Sequence, residues 1–323
     1  MAEWTAFQVL GADFQLQGMT EDGAAAKVVT SGLPDGWGAV AADFVYGTSV
    51  WLNWLTWKQG PDPVRKLYEA LDWAPTNWAS AYATLASVGG KPVGELLRDF
   101  AEDFWLQRFD PVSKVSASAL LDAAGFDGSM MFAGVLGATK VLAERPALSS
   151  MRYAMKITNE QAVMVATGEA VLRVTGLGPE ADVSVWTQPN FTMDADNPTL
   201  VARLDEAHPL QVLTQVTAGS WWLVHNRWAT AGSVGGKLTL ELPRISALQP
   251  GSAKPAALLT ISGQQFGAGK GDVFIGGVQA VVQTWSTSLV VVKVPALPAG
   301  SPAAVRVRTL DQANSNPMPL QVL

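Results

Sequence analysis

The stretch Leu259-Thr-Ile-Ser-Gly-Gln-Gln-Phe-Gly267 decides the fold of the last part of this chain, together with Val273-Phe-Ile-Gly-Gly277 shortly after it. In each stretch aliphatic and β-branched residues alternate over a few positions, and glycines close the run. Alternation with a period of two is typical of a strand that buries one face, and the glycines mark turns. The two stretches therefore predict two short strands connected by tight turns.

The same pattern extends over residues 243–323. Gly263, Gly267, Gly277 and Gly300 mark the turns. So many short strands, separated by turns at regular intervals, are typical of a β-sandwich domain. The predicted strands are Leu258 to Ile261, Asp272 to Ile275, Val278 to Thr284, Leu289 to Val294 and Ala304 to Thr309.

Residues 243–323 resemble an IPT/TIG domain, the immunoglobulin-like module of many bacterial surface proteins and of some transcription factors. Besides the two stretches quoted above, the resemblance depends on Pro243-Arg-Ile245, Trp285-Ser-Thr, Val292-Lys-Val-Pro295 and Val305-Arg-Val. It implies an immunoglobulin-like sandwich that acts as a structural or adhesive spacer and carries no chemistry of its own.

A second β-sandwich domain is predicted over residues 111–242. Alternating β-branched runs cover Tyr153 to Ile157, Ala170 to Thr175, Val183 to Trp186 and Ser220 to Val224, with glycine turns between them. Its first part, residues 111–149, is rich in Gly, Ala and Ser and is ambiguous between strands and a connecting segment.

A helical N-terminal domain is predicted over residues 1–110. Phe44 to Trp57 is apolar nearly all round, as in a buried helix, and Val93 to Phe109 carries an apolar stripe at helical spacing. The chain is thus expected to be multi-domain α + β, with a helical domain followed by two β-sandwich domains. The charged residues of the second helix are predicted to form its solvated face: Glu95, Arg98, Asp99, Glu102 and Asp103.

Residues 44–109 resemble the helical region that follows the active site in secreted bacterial metallopeptidases of the gluzincin type, over Trp54 to Tyr68 and Gly89 to Trp105. In that family H-E-x-x-H supplies two zinc ligands and a general base, and a later Glu completes the ligand set. By the resemblance, Glu3 takes the general-base position and Glu21 the metal-ligand position.

The two histidine positions of that motif are Ala2 and Ala6 in this chain. Alanine has no lone pair to offer zinc, so the resemblance implies a degenerate, non-catalytic relative, a pseudopeptidase. No cofactor is expected, and zinc would be one only if the peptidase resemblance were functional. The alternative interpretation is that Ala-Glu-x-x-Ala is an ordinary helix start.

Other residues suggest chemistry less clearly. The two histidines, His208 and His225, have no second metal ligand at a suitable spacing and are interpreted as structural or surface residues. The run Met193-Asp-Ala-Asp-Asn-Pro198 has the composition of a polar turn, or alternatively of a loop that binds a cation through Asp194, Asp196 and Asn197.

Tryptophans are the candidate binding residues. Trp221 and Trp222 are neighbours in a predicted strand and must point to opposite faces, so at least one ring is expected to be exposed. With Trp228 they form the predicted binding surface.

Composition and charge exclude several classes of function. The formal net charge is −6 and no basic cluster occurs, which argues against a nucleic-acid partner. The chain has no cysteine, which excludes disulfides, thiolate metal sites and cysteine nucleophiles. No apolar run reaches the roughly 20 residues of a membrane helix, so no membrane span is expected. No signal peptide is recognisable in Met1 to Leu10.

The sequence thus favours a non-catalytic, extracellular or cell-surface bacterial protein related to secreted metallopeptidases. Its expected partner is a protein or a glycan, or a second copy of itself. Two alternatives remain open: an active secreted hydrolase with unidentified ligands, and a glycan-binding module that uses exposed Trp.

Overall fold

The fold was analysed in a computed structural model of the chain. It describes residues 54–70, 86–106, 129–131, 139–145, 149–157, 159–188, 199–216, 218–227, 234–300 and 302–323.

Helices account for the described part of the N-terminal region. Residues 54–59 are helical and end at Gly60, whose positive φ of 83° suits glycine and whose N–H bonds the carbonyl of Thr56 at 2.7 Å. Two longer helices follow, α1 (Asp62–Ala70) and α2 (Val93–Trp105), each placed just after a proline, where proline is tolerated. Among the helices that the structure describes, none is long and apolar enough to cross a membrane.

The central part of the chain is built from two facing sheets and one further helix, α3 (Asn159–Thr167). Sheet A has the strand order β1-β3-β8-β5-β6, and sheet B the order β2-β9-β4-β7. The strands are β1 (Ser129–Met131), β2 (Thr139–Arg145), β3 (Ser149–Ile157), β4 (Ala170–Thr175), β5 (Ala181–Gln188), β6 (Thr199–Asp205), β7 (Leu210–Leu213), β8 (Gly219–Arg227) and β9 (Val234–Glu241).

The core of this central sandwich lies between sheets A and B. Alternate residues of each strand enter it, such as Val183 and Val185 of β5 and Leu172 and Val174 of β4, all almost completely buried. This is the period-two pattern that identified the strands in the sequence.

A second sandwich forms the C-terminal part. Sheet C has the order β10-β12-β16-β15 and sheet D the order β11-β18-β17-β13-β14. The strands are β10 (Arg244–Gln249), β11 (Ser252–Ala253), β12 (Leu258–Gln264), β13 (Asp272–Ile275), β14 (Val278–Gln279), β15 (Val281–Trp285), β16 (Leu289–Lys293), β17 (Pro302–Arg308) and β18 (Met318–Val322).

The stretch Leu259 to Gly267 forms the centre of this C-terminal sandwich. Leu259, Ile261 and Phe266 are fully buried between sheets C and D. The predicted strand is therefore confirmed. Gly263, predicted to mark a turn, instead lies inside β12 and pairs with Ile245 of β10. Glycine is needed there because a Cβ would overlap the carbonyl of Arg244 and the ring of Phe266.

Helix α2 covers the outer face of sheet A and contacts β8 and β3. Phe100 of α2 packs against Trp54 of the 54–59 helix, with ring centroids 5.6 Å apart, and both side chains are buried. Helix α2 and the 54–59 helix that packs on it therefore form a further layer over sheet A.

Hydrogen bonds and an ion pair join the two sandwiches. The carboxylate of Glu169, just before β4, accepts hydrogen bonds from the backbone N–H of Asn314 at 2.7 Å and from its side-chain amide at 2.9 Å. Arg173 of β4 forms an ion pair with Asp311 in the same C-terminal loop. At Gly168 a Cβ would lie 2.9 Å from the backbone nitrogen of Asn316, so the backbones approach closely. The junction is therefore a packed contact rather than a loose linker.

The structure agrees with the predictions for its β-rich part. The four alternating runs of the central region lie within observed strands, and four of the five predicted strands of the C-terminal region correspond to β12, β13, β16 and β17. The fifth, Val278 to Thr284, is instead divided at Ala280 into β14 of sheet D and β15 of sheet C. Helix α3 was not predicted. Most of residues 1–110 and of 111–149 lies outside the described residues, so a separate helical domain and the proposed domain boundaries stay predictions.

Candidate functional site

Several candidate residues lie outside the described part of the chain. These are Glu3 and Glu21 of the gluzincin resemblance, the tryptophan Trp228, and the loop that contains Asp194, Asp196 and Asn197. Their predicted roles therefore remain predictions.

The two neighbouring tryptophans point to opposite faces of β8, as predicted. Trp221 is only 2% exposed and belongs to the core between sheets A and B, so its ring is not available to a ligand. Trp222 is half-buried on the outer face of sheet A, opposite Trp186 in the strand register. A binding role on this strand would thus depend on Trp222 rather than Trp221.

The two histidines differ in burial. His225 is fully buried in sheet A, whereas His208 is exposed and its ring nitrogen Nδ1 lies 3.2 Å from the carboxylate of Asp205. Within the described residues, no group of three or more His, Asp or Glu side chains is arranged to hold a metal ion.

A buried charge network joins helix α2 to sheet A. Arg203 of β6 lies at its centre, with Nη2 2.7 Å from Oε1 of Glu102 and Nη1 2.8 Å from Oδ2 of Asp182. Arg98 approaches the same Asp182 oxygen at 3.7 Å. Glu102 and Asp182 are 5% and 1% exposed, so the two carboxylates are desolvated, whereas the side chains of Arg98 and Arg203 are partly exposed.

Neutral groups complete the hydrogen bonding of Asp182. The side-chain amide of Asn226 donates to its Oδ1 at 2.8 Å, and the hydroxyl of Ser150 donates to the Asn226 carbonyl oxygen at 2.8 Å. Buried ions require such partners, because a charge removed from water without them is costly. The network is therefore best explained as the structural attachment of α2 to the sheet.

The network corrects the prediction that the charged face of α2 is solvated. Glu102 is buried in it, and Asp103, at 4% exposure, accepts hydrogen bonds from the Trp54 indole and the Lys58 ammonium, each at 2.8 Å. The sequence could not show this, because the partners are far away in the chain: Arg203 of β6 for Glu102, and Trp54 and Lys58 of the 54–59 helix for Asp103.

Burial raises the pKa of the Glu102 carboxyl, since the desolvated site disfavours its charged form more than Arg203 stabilises it; the nearby Asp182 adds to the effect. Burial likewise raises the pKa of Asp182. In the unfolded chain the pKa of a glutamate is about 4.3. Between that value and the raised folded value, the folded state binds more protons than the unfolded state.

The free energy of unfolding is therefore expected to fall as the pH rises through the folded pKa of Glu102, and to increase as the pH is lowered again toward about 5. The variant Glu102→Gln should lose this part of the pH dependence, because glutamine does not titrate. Thermal unfolding of both proteins between pH 5 and pH 8 measures the difference. Glu95→Gln, on the same helix but only half-buried, is the control. If both variants lost the dependence of the melting temperature on pH to the same extent, the prediction would be contradicted.

The outer face of sheet C is exposed and mixes apolar and basic side chains. Lys293 of β16 is the register neighbour of Leu258 on β12 and of Val281 on β15. Leu258 and Val281 are 60% and 62% exposed, and Leu289 is 41% exposed on the same face. We call the surface formed by these four residues the Lys293 face.

Two further lysines border the Lys293 face. Lys270 is exposed at the edge strand β15, where its ammonium lies 3.4 Å from the carbonyl oxygen of Val282. Lys254 is exposed in the turn that leads to Leu258. The two acidic residues of the C-terminal sandwich are engaged elsewhere, Asp272 with Arg308 and Asp311 with Arg173.

The charge of the chain is unevenly distributed. Residues 243–323 carry six Lys and Arg and two Asp, whereas residues 1–242 carry 16 Lys and Arg and 26 Asp and Glu. An exposed face with large aliphatic side chains and lysines is suited to contact with an acidic partner that has apolar groups of its own. The Lys293 face is thus the candidate functional site. It could not be recognised in the sequence, because three strands contribute its residues.

Comparisons with known proteins support the IPT/TIG resemblance of the C-terminal part. Residues 243–322 match the family described as IPT/TIG domain, which confirms the resemblance found in the sequence. No curated protein matches the chain. The gluzincin resemblance of the N-terminal region has no support from these comparisons.

Solved structures show only distant likenesses. An auxiliary nutrient binding protein from Bacteroides ovatus is 19% identical over 26% of this chain and 21% of its own, with a TM-score of 0.22. PliG of Aeromonas hydrophila, a periplasmic lysozyme inhibitor of g-type lysozyme, is 12% identical over 33% of this chain and 87% of its own, with a TM-score of 0.25. The gamma-CGTase of alkalophilic Bacillus clarkii is 16% identical over 67% of this chain and 29% of its own, with a TM-score of 0.25.

The chain spans about a fifth of the length of the nutrient binding protein and less than a third of the gamma-CGTase. At these TM-scores, none of the three likenesses supports an inference about function.

Proposed function

We propose that this chain is a non-catalytic, extracytoplasmic bacterial binding or assembly protein, and that its C-terminal sandwich carries the contact surface. The observation that supports the proposal is the Lys293 face, on which Leu258 and Val281 remain largely exposed. The two side chains flank Lys293 from the strands on either side of β16. Exposed apolar side chains grouped on one face of a folded domain are typical of interaction sites.

The junction between the sandwiches supports the same proposal. Through Glu169, Arg173 and Gly168 the C-terminal sandwich is held in one orientation on the central sandwich. A contact surface on a rigid support loses less conformational entropy on binding than one on a flexible linker. The central sandwich and its helices would then serve as the support.

The relation to secreted metallopeptidases is part of this proposal. It depends on the resemblance of residues 44–109 and on Ala2 and Ala6 at the histidine positions of the zinc motif. A pseudopeptidase of this kind would bind without turnover. Trp222 and Trp228 remain candidates for a glycan contact.

The proposal is tested with the full chain and two probes, immobilised α-casein as an acidic protein and a soluble β-glucan as a glycan. We expect measurable binding to the acidic protein, and a decrease of about tenfold in the variant Leu258→Ser with Val281→Ser, because the apolar part of the contact is lost. Biolayer interferometry at low and at physiological salt measures the dissociation constants.

Leu310→Ser is the matched control, since Leu310 is 62% exposed like Val281 but lies outside the Lys293 face. Equal effects of both changes would contradict a role for this face. Zinc-dependent hydrolysis of the casein by the full chain would contradict the non-catalytic proposal.

A further inference from the structure

Two exposed acidic turns lie at one end of sheet A. Glu180 is in the turn that precedes β5, and Asp205 ends β6, with Glu206 following it. Because Asp182 and Asp205 are register partners, these turns are neighbours at the same end of the sheet. We call Glu180, Asp205 and Glu206 the acidic turns.

The acidic turns also carry exposed apolar residues. Pro179 precedes Glu180, and Ala207 and Pro209 follow Glu206; all three are exposed. The acidic turns thus combine carboxylates with small apolar groups, while the Lys293 face combines lysines with large ones. The two surfaces are opposite in charge, and both carry apolar groups that can come into contact.

The Lys293 face is not complementary to a copy of itself. It presents Lys293, with Lys270 and Lys254 at its border, and the two aspartates of the same sandwich are in ion pairs elsewhere. Placing two such faces against each other would oppose like charges across a partly desolvated contact, which is unfavourable. A contact between copies must therefore join two different surfaces.

We propose that the Lys293 face of one copy binds the acidic turns of a second copy, so that copies of the chain associate head to tail. This inference rests on the proposed function and names its partner, a second copy of the chain. A contact between two different surfaces leaves one of each free at the ends, so association continues beyond the dimer unless a ring closes. Because its charges are near the surface, the association weakens in high salt.

The test uses two full-length variants that each remove one half of the contact. In the face variant, Lys270→Glu is combined with Lys293→Glu; in the turn variant, Glu180→Lys is combined with Glu206→Lys. All four residues are exposed, so both variants are expected to keep the melting temperature of the original protein. Sedimentation velocity over a hundredfold concentration range, in 50 mM and 500 mM NaCl, gives the association constants.

The original protein is expected to increase in mass with concentration at low salt, and high salt should reduce the association constant at least tenfold. Each variant alone is expected to remain monomeric. A mixture of the two variants should form a complex again, because the turn variant keeps the Lys293 face and the face variant keeps the acidic turns. Recovery of this kind occurs only when two different surfaces meet.

Three results would overturn the inference: a monomeric original protein at every concentration, a dimer that survives in the turn variant, or no recovery in the mixture. A monomeric protein whose Lys293 face still binds α-casein would overturn this inference and leave the proposed function standing. Zinc-dependent turnover would contradict the proposed function, whatever the mass of the protein.

Discussion

Replacing Arg203 by alanine is expected to lower the free energy of unfolding of the central sandwich by about 3 kcal/mol. The guanidinium group contacts both Glu102 and Asp182 at 2.7 and 2.8 Å, and both carboxylates are almost fully buried. Its loss would leave two negative charges close together in a desolvated site. That cost is much larger than the net contribution of an intact buried pair.

Differential scanning calorimetry of the full chain measures this effect as a fall in Tm of roughly 6 to 12 °C for a unit of this size. Arg65→Ala is the matched control, because Arg65 also contacts two carboxylates, those of Asp62 and Glu69, but on an exposed helix surface. That change should leave Tm almost unchanged.

Adding Glu102→Gln to the Arg203→Ala variant provides a second check. If the loss arises from unpaired buried charge, neutralising one carboxylate should recover part of it. A Tm of Arg203→Ala equal to that of the original protein would contradict the prediction, as would the absence of any recovery.

Replacing Phe266 by alanine is expected to destabilise the C-terminal sandwich by about 3 to 5 kcal/mol. The ring is fully buried between sheets C and D, lies 6.3 Å from the Trp285 ring centroid and fills the space that Gly263 leaves open. Its removal creates a cavity. The cavity is not expected to collapse, because β12 is held by its pairing with β10.

The unfolding transition of the C-terminal sandwich should then occur more than about 10 °C lower, because small domains are sensitive to such losses. Phe274→Ala is the control: the same side chain is removed, but Phe274 is half-buried and lies against Arg308, with the guanidinium carbon 4.8 Å from the ring centroid. An equal fall in the unfolding temperature of the two variants would contradict the larger stabilising role of Phe266.

The sequence by itself determined β3, β4, β5 and β8 of the central sandwich and β12, β13, β16 and β17 of the C-terminal one. Local alternation is sufficient for this, because the period of two and the glycine turns are properties of a few neighbouring residues. The IPT/TIG resemblance was likewise readable from residues 243–323 and was confirmed by the family match. The separation of Trp221 and Trp222 onto two faces followed from the same geometry.

Only the tertiary structure decided which of those faces are covered. Along α2, Glu102 and Asp103 have the spacing of a solvated helix face, yet both are buried, because groups from distant strands and from the 54–59 helix pair with them. On sheet C the opposite holds: Leu258 and Val281 are aliphatic residues in strands, yet no other element covers them in the described part of the chain. Covering a face requires contacts between residues far apart in the chain, and hydrophobic periodicity within one element contains no information about such contacts.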